Sequence, residues 1–529
     1  MDSSYRTPGV YVEWLDTNAQ RIELGRTDVA GLVGIAERGP VQTPVKIESA
    51  RQFLTTFGDP IPDGYLGYAA AGFFENGGRT CWITRVADPA QATAARVRLF
   101  IAGRRPFVVE AASPGAWGNA ILLEAQWGRD RITHVVARTP DARIQLVDLD
   151  RPDEDQRPTA ARTSRPGVAD VDLPELAPDL LVRIAEDTPQ IPSHELTALT
   201  PRTRLAGGTD GLATLTPDHF TGDPDHEGTW GIAALERVDG VSFVAVPDLM
   251  AGLDPKSAVV NARGFDLAQV RDAQIAVVNS CMRRRDRMAI LDMPPLRRDQ
   301  VIDYRTSWTS TSFAAFYHPW VAVADPLRLR ANVRSVPPSG HVAGMYARTD
   351  RRRGVHKPPA NEVLEGVFDL RERLDDRAHG DLNERAINAI RAIPGRGILV
   401  LGARTLAADA RWRYVNVRRL FTMVEEALDE QMQWLTFEPN NPRLWREIDR
   451  AVRGFLERLY RLGMLDGETS DAAYRVRCDE STNTPWDTDA GRVSCVIGIQ
   501  PPSPAEFVVV RIGVTRSGIE IEEKGPQDV

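Results

Sequence analysis

The sequence is poor in cysteine, and this shortage excludes whole classes of protein. Its 529 residues contain four cysteines, which are Cys81, Cys281, Cys478 and Cys495. None forms a CxxC pair or lies near histidines at zinc-ligand spacing, so neither a disulfide framework nor a zinc site is expected. We therefore predict reduced thiols in a cytoplasmic protein, with no bound metal and no cofactor.

Long apolar runs and excess positive charge are missing as well. No run of 18 apolar residues occurs, and the first six residues lack the apolar centre of a signal peptide. We expect a soluble protein that is made in the cytoplasm and does not insert directly into a membrane. The net charge of −8 provides no basic field to attract nucleic acid or an anionic membrane surface.

What is present is an ordinary globular composition, arranged as several domains. The chain is 42% apolar and 26% charged, and its length predicts about two to four domains. Residues 27–90 have an α/β pattern, residues 95–205 hold short β-like runs, and residues 207–360 return to α/β with a mostly parallel sheet. Two long amphipathic helices are predicted near Val417–Trp434 and Pro442–Leu462.

Both ends of the chain have strand patterns. Pro8–Trp14 alternates with the period of two that is typical of a half-buried strand. The polar run Asp16–Gln20 separates it from the next apolar run, so it needs an edge to pair with, in its own domain or in a neighbouring molecule. Phe507–Val514 is a near-continuous apolar run, typical of a strand covered on both faces. The pattern leaves both pairing alternatives open at both ends.

An enzymatic alternative depends on three residues in the predicted parallel sheet. Asp248 and Asp292 each follow a predicted strand, and His318 lies in a third, at residues 313–323. Ligands gather at the carboxyl ends of parallel strands, so these side chains could bind a metal or act as acid and base. Both aspartates adjoin prolines, where Asp commonly forms turns, and no phosphate loop, GxSxG or HExxH motif accompanies them. Structural turns are the favoured interpretation.

Three further clusters have a similarly structural interpretation. The acidic stretch Asp479–Asp489 could suggest calcium, but it lacks the spacing of a 12-residue EF-hand loop, which favours capped turns. The glycine-rich stretch Gly207–Gly211 lacks GxGxxG spacing and indicates a domain hinge. The basic cluster Arg351–Arg353 could contact phosphate, although a solvated segment is the simpler interpretation.

The predicted helix 442–462 carries an apolar stripe with a stripe of arginines beside it. It contains six arginines against three acidic residues, a net charge of +3 in a chain of −8. A surface helix with snorkelling arginines and a helix that docks on an acidic partner are both consistent with this pattern. The stripe consists of Arg443, Arg446, Arg450, Arg453 and Arg461.

An ordered series of motifs resembles the tail sheath proteins of contractile phage tails and of phage-tail-like injection systems. The motifs cover both ends and most of the middle, whereas residues 120–205 match poorly. They are Pro8–Glu13, Gly34–Pro40, Phe73–Gly78, Ser113–Asn119, Ala289–Asp292, Pro394–Ile398, Gly402–Leu406, Tyr414–Phe421, Phe437–Asn440, Arg477–Glu480 and Asp489–Arg492.

The resemblance implies a structural and mechanical protein, not an enzyme. Sheath subunits of this family form hexameric rings stacked helically around an inner tube, with baseplate and terminal cap proteins as further partners. Contraction drives the tube through a target envelope without nucleotide hydrolysis, using energy stored in a metastable lattice. Assembly would take place in the cytoplasm of the producing cell, and the particle would be a phage tail or a phage-tail-like particle.

The resemblance also implies a multidomain α/β (α+β) fold with strand-exchanging terminal arms. The expected segments are an N-terminal arm (1–20), a first part of an inner domain (21–94), an inserted outer β domain (95–205), a middle α/β domain (206–360), a second part of the inner domain (361–505) and a C-terminal arm (506–529). The expected strand-exchange residues are Val10, Tyr11, Val12, Glu13, Trp14, Val508, Val509, Val510 and Ile512. The tube-facing candidates are Arg443, Arg446, Arg450 and Arg453.

Overall fold

The chain divides into two compact units, each described here by itself. The larger unit is formed by residues 26–423 and the described residues from 503 onward, and the smaller unit by residues 22–25 and 424–502. The computed structural model describes residues 22–100, 107–127, 132–138, 143–148, 182–185, 197–198, 202–223, 230–253, 265–327, 332–504, 506, 509–515 and 518–524. The predicted arm Pro8–Trp14 and Val508 lie outside these residues.

The larger unit begins with the first strands of its central sheet. All six residues of Val29–Gly34 are buried, as expected for a strand covered on both faces. Ser49 accepts a hydrogen bond from the Gln52 backbone N–H at 3.1 Å and so caps the first helix. The elements of this segment are β1 (Val29–Gly34), β2 (Val45–Ile47), α1 (Ala50–Phe57), α2 (Leu66–Glu75) and β3 (Thr80–Arg85).

Residues 95–205 carry sheets and an apolar core of their own. Buried side chains such as Leu99, Val109, Leu123 and Val135 form this core. The strands are β4 (Arg96–Phe100), β5 (Phe107–Ala111), β6 (Leu122–Trp127), β7 (Ile132–Arg138), β8 (Arg143–Asp148), β9 (Val182–Ala185), β10 (Thr197–Ala198) and β11 (Thr203–Arg204). They form two four-stranded sheets, in the orders β10-β4-β5-β9 and β11-β6-β7-β8.

The chain then returns to the central sheet. A long helix, Leu267–Arg284, follows the strand Phe243–Ala245, and Asp266 and Gln269 form a capping box at its start. The elements are α3 (Asp218–Thr221), α4 (Gly231–Leu235), β12 (Phe243–Ala245), α5 (Leu267–Arg284), β13 (Met288–Asp292), α6 (Arg298–Thr306), β14 (Ala314–His318), β15 (Val321–Ala324), β16 (Val333–Val336), α7 (Ser339–Arg353), β17 (Glu362–Val363), β18 (Val367–Leu370), α8 (Asp376–Glu384), β19 (Ile387–Ile393), β20 (Gly397–Leu401) and α9 (Val415–Gln431).

One nine-stranded sheet joins most of these strands, in the order β17-β20-β19-β14-β13-β12-β1-β3-β2. The six strands from β19 to β3 are parallel, and the edge strands pair antiparallel. The mostly parallel sheet predicted for residues 207–360 is therefore confirmed, but it also includes strands from 21–94 and 361–505. One sheet thus joins the segments expected as the two parts of the inner domain and the middle domain, and strand pairing between distant segments leaves no local signal in the sequence.

The strand predicted at residues 313–323 is wrong as a single element. β14 belongs to the nine-stranded sheet, whereas β15 pairs with β16 and β18 in a separate three-stranded sheet. The cis peptide bond between His318 and Pro319 lies between them. Proline has no backbone N–H to donate to a strand ladder, so the run breaks at Pro319 despite its apolar composition.

The smaller unit contains the arginine-rich helix and a two-stranded sheet. Its elements after α9 are α10 (Pro442–Arg461), α11 (Ser470–Ala473), β21 (Tyr474–Arg477), α12 (Pro485–Asp489) and β22 (Val496–Ile499).

The last described strands, β23 (Val509–Thr515) and β24 (Gly518–Lys524), belong to the larger unit and form an antiparallel hairpin. The predicted terminal strand is therefore present, and it has a second strand that its apolar pattern did not reveal.

A buried ion pair fixes the start of α9 in the larger unit. The Arg419 guanidinium donates to both carboxylate oxygens of Asp350 on α7, at 3.0 and 2.5 Å, and to the Thr27 carbonyl at 2.7 Å. The Arg419 and Asp350 side chains are only 4% and 3% exposed. The guanidinium also lies over the rings of Phe243 and Tyr346, so its charge is both paired and stacked.

Replacing Asp350 with alanine should lower the free energy of unfolding by about 3–5 kcal/mol, because the Arg419 charge would remain buried without its partner. Urea unfolding of the monomeric chain, followed by tryptophan fluorescence, measures the change. The double variant Asp350→Leu with Arg419→Met removes both charges and should lose clearly less. An equal or larger loss in the double variant would contradict this account of the pair.

Candidate assembly surface

The two aspartates of the enzymatic alternative are helix caps. Asp248, fully buried, accepts hydrogen bonds from the backbone N–H groups of Ile35 at 2.6 Å, of Leu66 at 3.2 Å and of Tyr65. Asp292 accepts from the backbone N–H of Ser339 at 2.8 Å and from its hydroxyl at 2.6 Å. Both carboxyl groups thus bind donors at the starts of α2 and α7, where unpaired N–H groups need acceptors.

His318 does not join these carboxylates. It is buried at the end of β14, and its Nε2 lies 3.3 Å from Glu372 Oε2. The hydrogen bond between these two side chains is the main reason why the pKa of Glu372 is lowered. A cleft of about 760 Å³ beside it is lined by Arg298, Arg371 and Trp320. The described residues contain no group of three His, Cys, Asp or Glu side chains that could hold a metal ion.

The resemblance motif Ser113–Asn119 joins the inserted β domain to the central sheet. Ser113 Oγ accepts a hydrogen bond from the Gly39 backbone N–H at 2.9 Å. Asn119 exchanges two hydrogen bonds with the backbone of Gly208, at 2.8 and 2.9 Å. The glycine-rich stretch expected to act as a hinge is therefore bound to this motif, and the motif has a structural role in the fold.

The arginines of α10 differ in how strongly the protein holds them. Arg443, Arg453 and Arg461 form i,i+4 ion pairs, at 3.1 Å to Glu447, 2.7 Å to Asp449 and 2.7 Å to Glu457 respectively. Arg453 also donates to the Val476 carbonyl. The positive charge of the predicted arginine stripe is therefore largely neutralised at these three positions.

Arg446 and Arg450 are different. Both are exposed, and neither has an ion pair or a hydrogen-bond partner among the described residues. They line a groove of about 750 Å³ between α10 and the segment Tyr474–Asp479. Two unpaired guanidinium groups on one face give this part of α10 an accessible positive charge that an acidic partner could bind.

The sheet of β21 and β22 has an open edge. Gln500 donates its backbone N–H to the Ala473 carbonyl at 2.8 Å, and the antiparallel register pairs Arg477 with Val496. The backbone groups of Ile497 and Ile499 therefore point away from β21. No described residue forms a backbone hydrogen bond with them, and β22 has no second strand beside it within the described chain.

The smaller unit also exposes large apolar side chains. Phe437 is fully exposed and has a φ of 71°, a conformation that costs free energy for a residue with a bulky side chain. Val496 on β22 is 59% exposed. Phe437 belongs to the motif Phe437–Asn440, but neither its exposure nor its positive φ has a signal in the sequence.

The acidic stretch Asp479–Asp489 consists of capped turns. Asp479 accepts hydrogen bonds from the backbone N–H of Ser481 at 2.8 Å and from its hydroxyl at 2.5 Å. Thr484 and Asp487 form a capping box at the start of α12. These carboxylates bind donors of their own loop, which agrees with the predicted capped turns.

Among the described residues, no helix is both long enough and apolar enough to cross a membrane.

Two domain families match adjacent parts of the chain. The pattern of the phage tail sheath protein central domain matches residues 256–406. The pattern of the phage tail sheath C-terminal domain matches residues 407–515. The chain belongs to the phage tail sheath family. The second match contains α9, α10 and the β21–β22 sheet, so the edge of β22 and the unpaired arginines lie in the part typical of sheath proteins.

Tail sheath proteins of phages and of a prophage are similar over parts of the chain. The "putative prophage major tail sheath protein" of Pseudomonas aeruginosa is 25% identical over 275 residues, which cover 50% of this chain and 69% of that protein. The tail sheath protein of Salmonella phage ViI is 27% identical over 42% of this chain, and that of Enterobacteria phage T4 is 26% identical over 36%. The chain spans only about a third of the length of these two phage relatives, 35% and 28% respectively.

Solved structures share the fold over nearly the whole chain. The sheath complex of the extracellular contractile injection system PVC, in its contracted state, matches 98% of this chain and 99% of its own with a TM-score of 0.56 and 20% identity. The contracted helical sheath of the anti-feeding prophage matches 96% of this chain and 99% of its own at 0.55 and 21%. The sheath tail protein Lin1278 of Listeria innocua matches 91% and 97% at 0.55 and 14%. At these identities the likeness describes the fold.

The buried carboxyls predict a pH dependence of stability. Burial raises the pKa of Asp248 and of Asp292 to about 7, against hydrogen bonds that lower it. Because these groups ionise near pH 4 in the unfolded chain, the folded state binds more protons between about pH 4 and 7. The stability they contribute is therefore greatest at low pH and is lost as pH rises to about 7, by up to about 1.4 kcal/mol per pH unit for each carboxyl.

Urea unfolding of the monomer at a series of pH values measures this slope. The variant Asp292→Asn cannot ionise at this position, so its midpoint should fall less steeply with pH than that of the unmodified chain. Identical slopes for the two proteins would contradict the assignment of this pH dependence to Asp292.

Proposed function

We propose that the chain is a structural subunit of a contractile sheath, which assembles with copies of itself around an inner tube and drives the tube forward by contraction. The observation that carries the proposal is the outer edge of β22, to which no described residue is paired, in a fold of the tail sheath family. A two-stranded sheet is marginally stable alone, and an unpaired strand edge is a template for a further strand. A subunit that completes this sheet with a neighbour's strand becomes part of a continuous lattice.

The terminal arms supply the donor strands in this proposal. Pro8–Trp14 has the alternating pattern of a strand, with Val10, Val12 and Trp14 on one side. At the other end, β23 pairs with β24 on one edge only within the described chain. Main-chain hydrogen bonds between subunits would hold the lattice together while the subunits move relative to one another.

The finer features of the assembly follow from the family. We infer hexameric rings stacked as a helix, assembled in the cytoplasm of the producing cell, with an inner tube, a baseplate and a terminal cap as partners. Solved relatives are described as sheath complexes in the contracted state and as parts of a baseplate. The inserted β domain of residues 95–205 would face outward, and contraction would need no nucleotide, metal or other cofactor. The capping roles of Asp248 and Asp292 favour this structural function over catalysis.

Deleting residues 1–15 should leave a folded monomer that cannot build a sheath, because the chain would lose one proposed donor strand while retaining every helix and strand that the structure describes. Electron microscopy of the purified protein shows whether ribbed tubes form, and circular dichroism reports the fold. Normal tubes from this truncation would refute the role of the arm.

The acceptor edge is tested by replacing Ile497 with proline, which removes an outward-pointing N–H that no described residue accepts. We expect a folded monomer without tubes. The matched control Ile497→Val retains the N–H and nearly the same side chain, and it should polymerise. Tubes of normal length from the proline variant would show that the edge of β22 is not the acceptor.

Replacing Arg446 and Arg450 together with alanine should weaken pairing of the sheath with its tube by roughly tenfold at low salt, because these two arginines have no partner among the described residues of the subunit. Co-sedimentation of sheath subunits with preformed tubes at several salt concentrations measures the change. Triple truncation that includes Arg453 should add little, since that side chain is bound to Asp449 and Val476.

The matched control replaces Arg443 and Arg461 with alanine, which removes the same amount of charge from the same helix. These arginines are paired with Glu447 and Glu457, so the control should affect tube binding less. Unchanged binding in the Arg446 and Arg450 variant, or an equal loss in both variants, would contradict a specific tube-facing role.

A further inference from the structure

Two of the four cysteines lie opposite each other at the end of the β21–β22 sheet. Arg477 pairs with Val496 in the antiparallel register, so Cys478 and Cys495 form the next pair along the two chains. The backbone N–H of Gln500 donates to the Ala473 carbonyl, so these two residues form a hydrogen-bonded pair of the antiparallel ladder. Hydrogen-bonded and non-hydrogen-bonded pairs alternate along the ladder, and counted from this pair the two cysteines form a non-hydrogen-bonded pair. Cα atoms in such pairs are about 4.5 Å apart, within the range of a disulfide.

Both thiols lie on one face of the sheet. Side chains in this register alternate between a buried face, which includes Val476 and Cys478, and an exposed face, which includes Arg477 and Val496. Cys495 is half-buried, and the two sulfur groups interact with each other directly. No rotation of either strand is needed to bring the thiols together.

A buried asparagine fixes the two chains at this point. The Asn483 carboxamide accepts from the Ser494 backbone N–H at 2.6 Å and donates to the Ser494 carbonyl at 3.0 Å. It also donates to the Asp479 carbonyl at 3.1 Å and contacts Cys478 Sγ at 3.9 Å. The side chain of Asn483 thus replaces the next rung of the sheet and holds the residues beside both cysteines.

We propose that Cys478 and Cys495 are a site of reversible oxidation that forms an intrachain disulfide when the protein meets a disulfide oxidant. The Cys495 thiolate, the more accessible of the two, attacks a small-molecule disulfide such as oxidised glutathione and releases one thiolate. The Cys478 thiolate then attacks the Cys495 sulfur of the mixed disulfide and releases the second. Two protein thiols are oxidised, one external disulfide is reduced, and two protons leave.

The new bond would close the loop between the two strands and fix their spacing. The disulfide would join the two ends of the loop 478–495, which contains α12 and leads directly into β22. Burial raises the pKa of both thiols, that of Cys495 to about 12, so only a small fraction is thiolate near neutral pH. The exchange is therefore slow in a neutral buffer and accelerates as the pH rises. This chemistry is independent of the proposed sheath function.

The test uses the full chain treated with oxidised glutathione at pH 7, 8 and 9. Denaturation and alkylation then count the free thiols, and peptide mapping identifies the linked residues. We expect the count to fall from four to two, faster at higher pH, with Cys478 joined to Cys495. Trypsin cuts after Arg477, Arg492 and Arg511, so the peptides that contain Cys478 and Cys495 should separate only after reduction.

The double variant Cys81→Ala with Cys281→Ala leaves only this pair and should oxidise in the same way, whereas Cys495→Ser should retain its thiols. Mapping of the unmodified chain needs no variant, so a variant that fails to fold does not affect the test. A count that remains at four after prolonged treatment at pH 9 would overturn the proposal. So would a disulfide that joins two chains or includes Cys81 or Cys281.

Discussion

The buried carboxyl of Asp248 is the interaction on which the rest of the larger unit depends. It lies after β12 and binds the chain that leaves β1 at Ile35 and the start of α2 at Leu66. A side chain at Gly34 would begin only 2.1 Å from this carboxylate, so the motif around Gly34 must approach it without one. Asp248 thereby joins segments on both sides of the inserted β domain, and the sheet can accept an insertion of about 110 residues without losing its register.

The sequence revealed elements whose signal is local and missed those decided by partners far along the chain. The apolar runs of β13 and the 3.6-residue period of α10 appear where they were predicted, because burial of one face dictates both. The strand at 313–323 breaks at Pro319, although proline at this position was readable from the sequence. Nothing local indicates that β1 pairs with β12, since parallel partners are separated by whole domains.

The same limit applies to the candidate surface. The i,i+4 spacing of Arg443 and Glu447 predicts an ion pair, whereas the freedom of Arg446 depends on what lies across the groove. The open edge of β22 is likewise a property of a sheet that stops at two strands. Within the described chain, the smaller unit has the unpaired edge of β22, two arginines without a partner and the exposed Phe437. The proposed contacts of β22 and α10 therefore lie in the smaller unit, whereas the one-sided pairing of β23 belongs to the larger one.

The most direct test of the account is a cryo-electron microscopy map of tubes assembled from the purified chain, at a resolution that separates strands. The account predicts an additional strand hydrogen-bonded to Ile497 and Ile499, traceable to a terminal arm of a different subunit. An edge of β22 that remains unpaired in the tube, or a strand there that traces back to the same subunit, would contradict it.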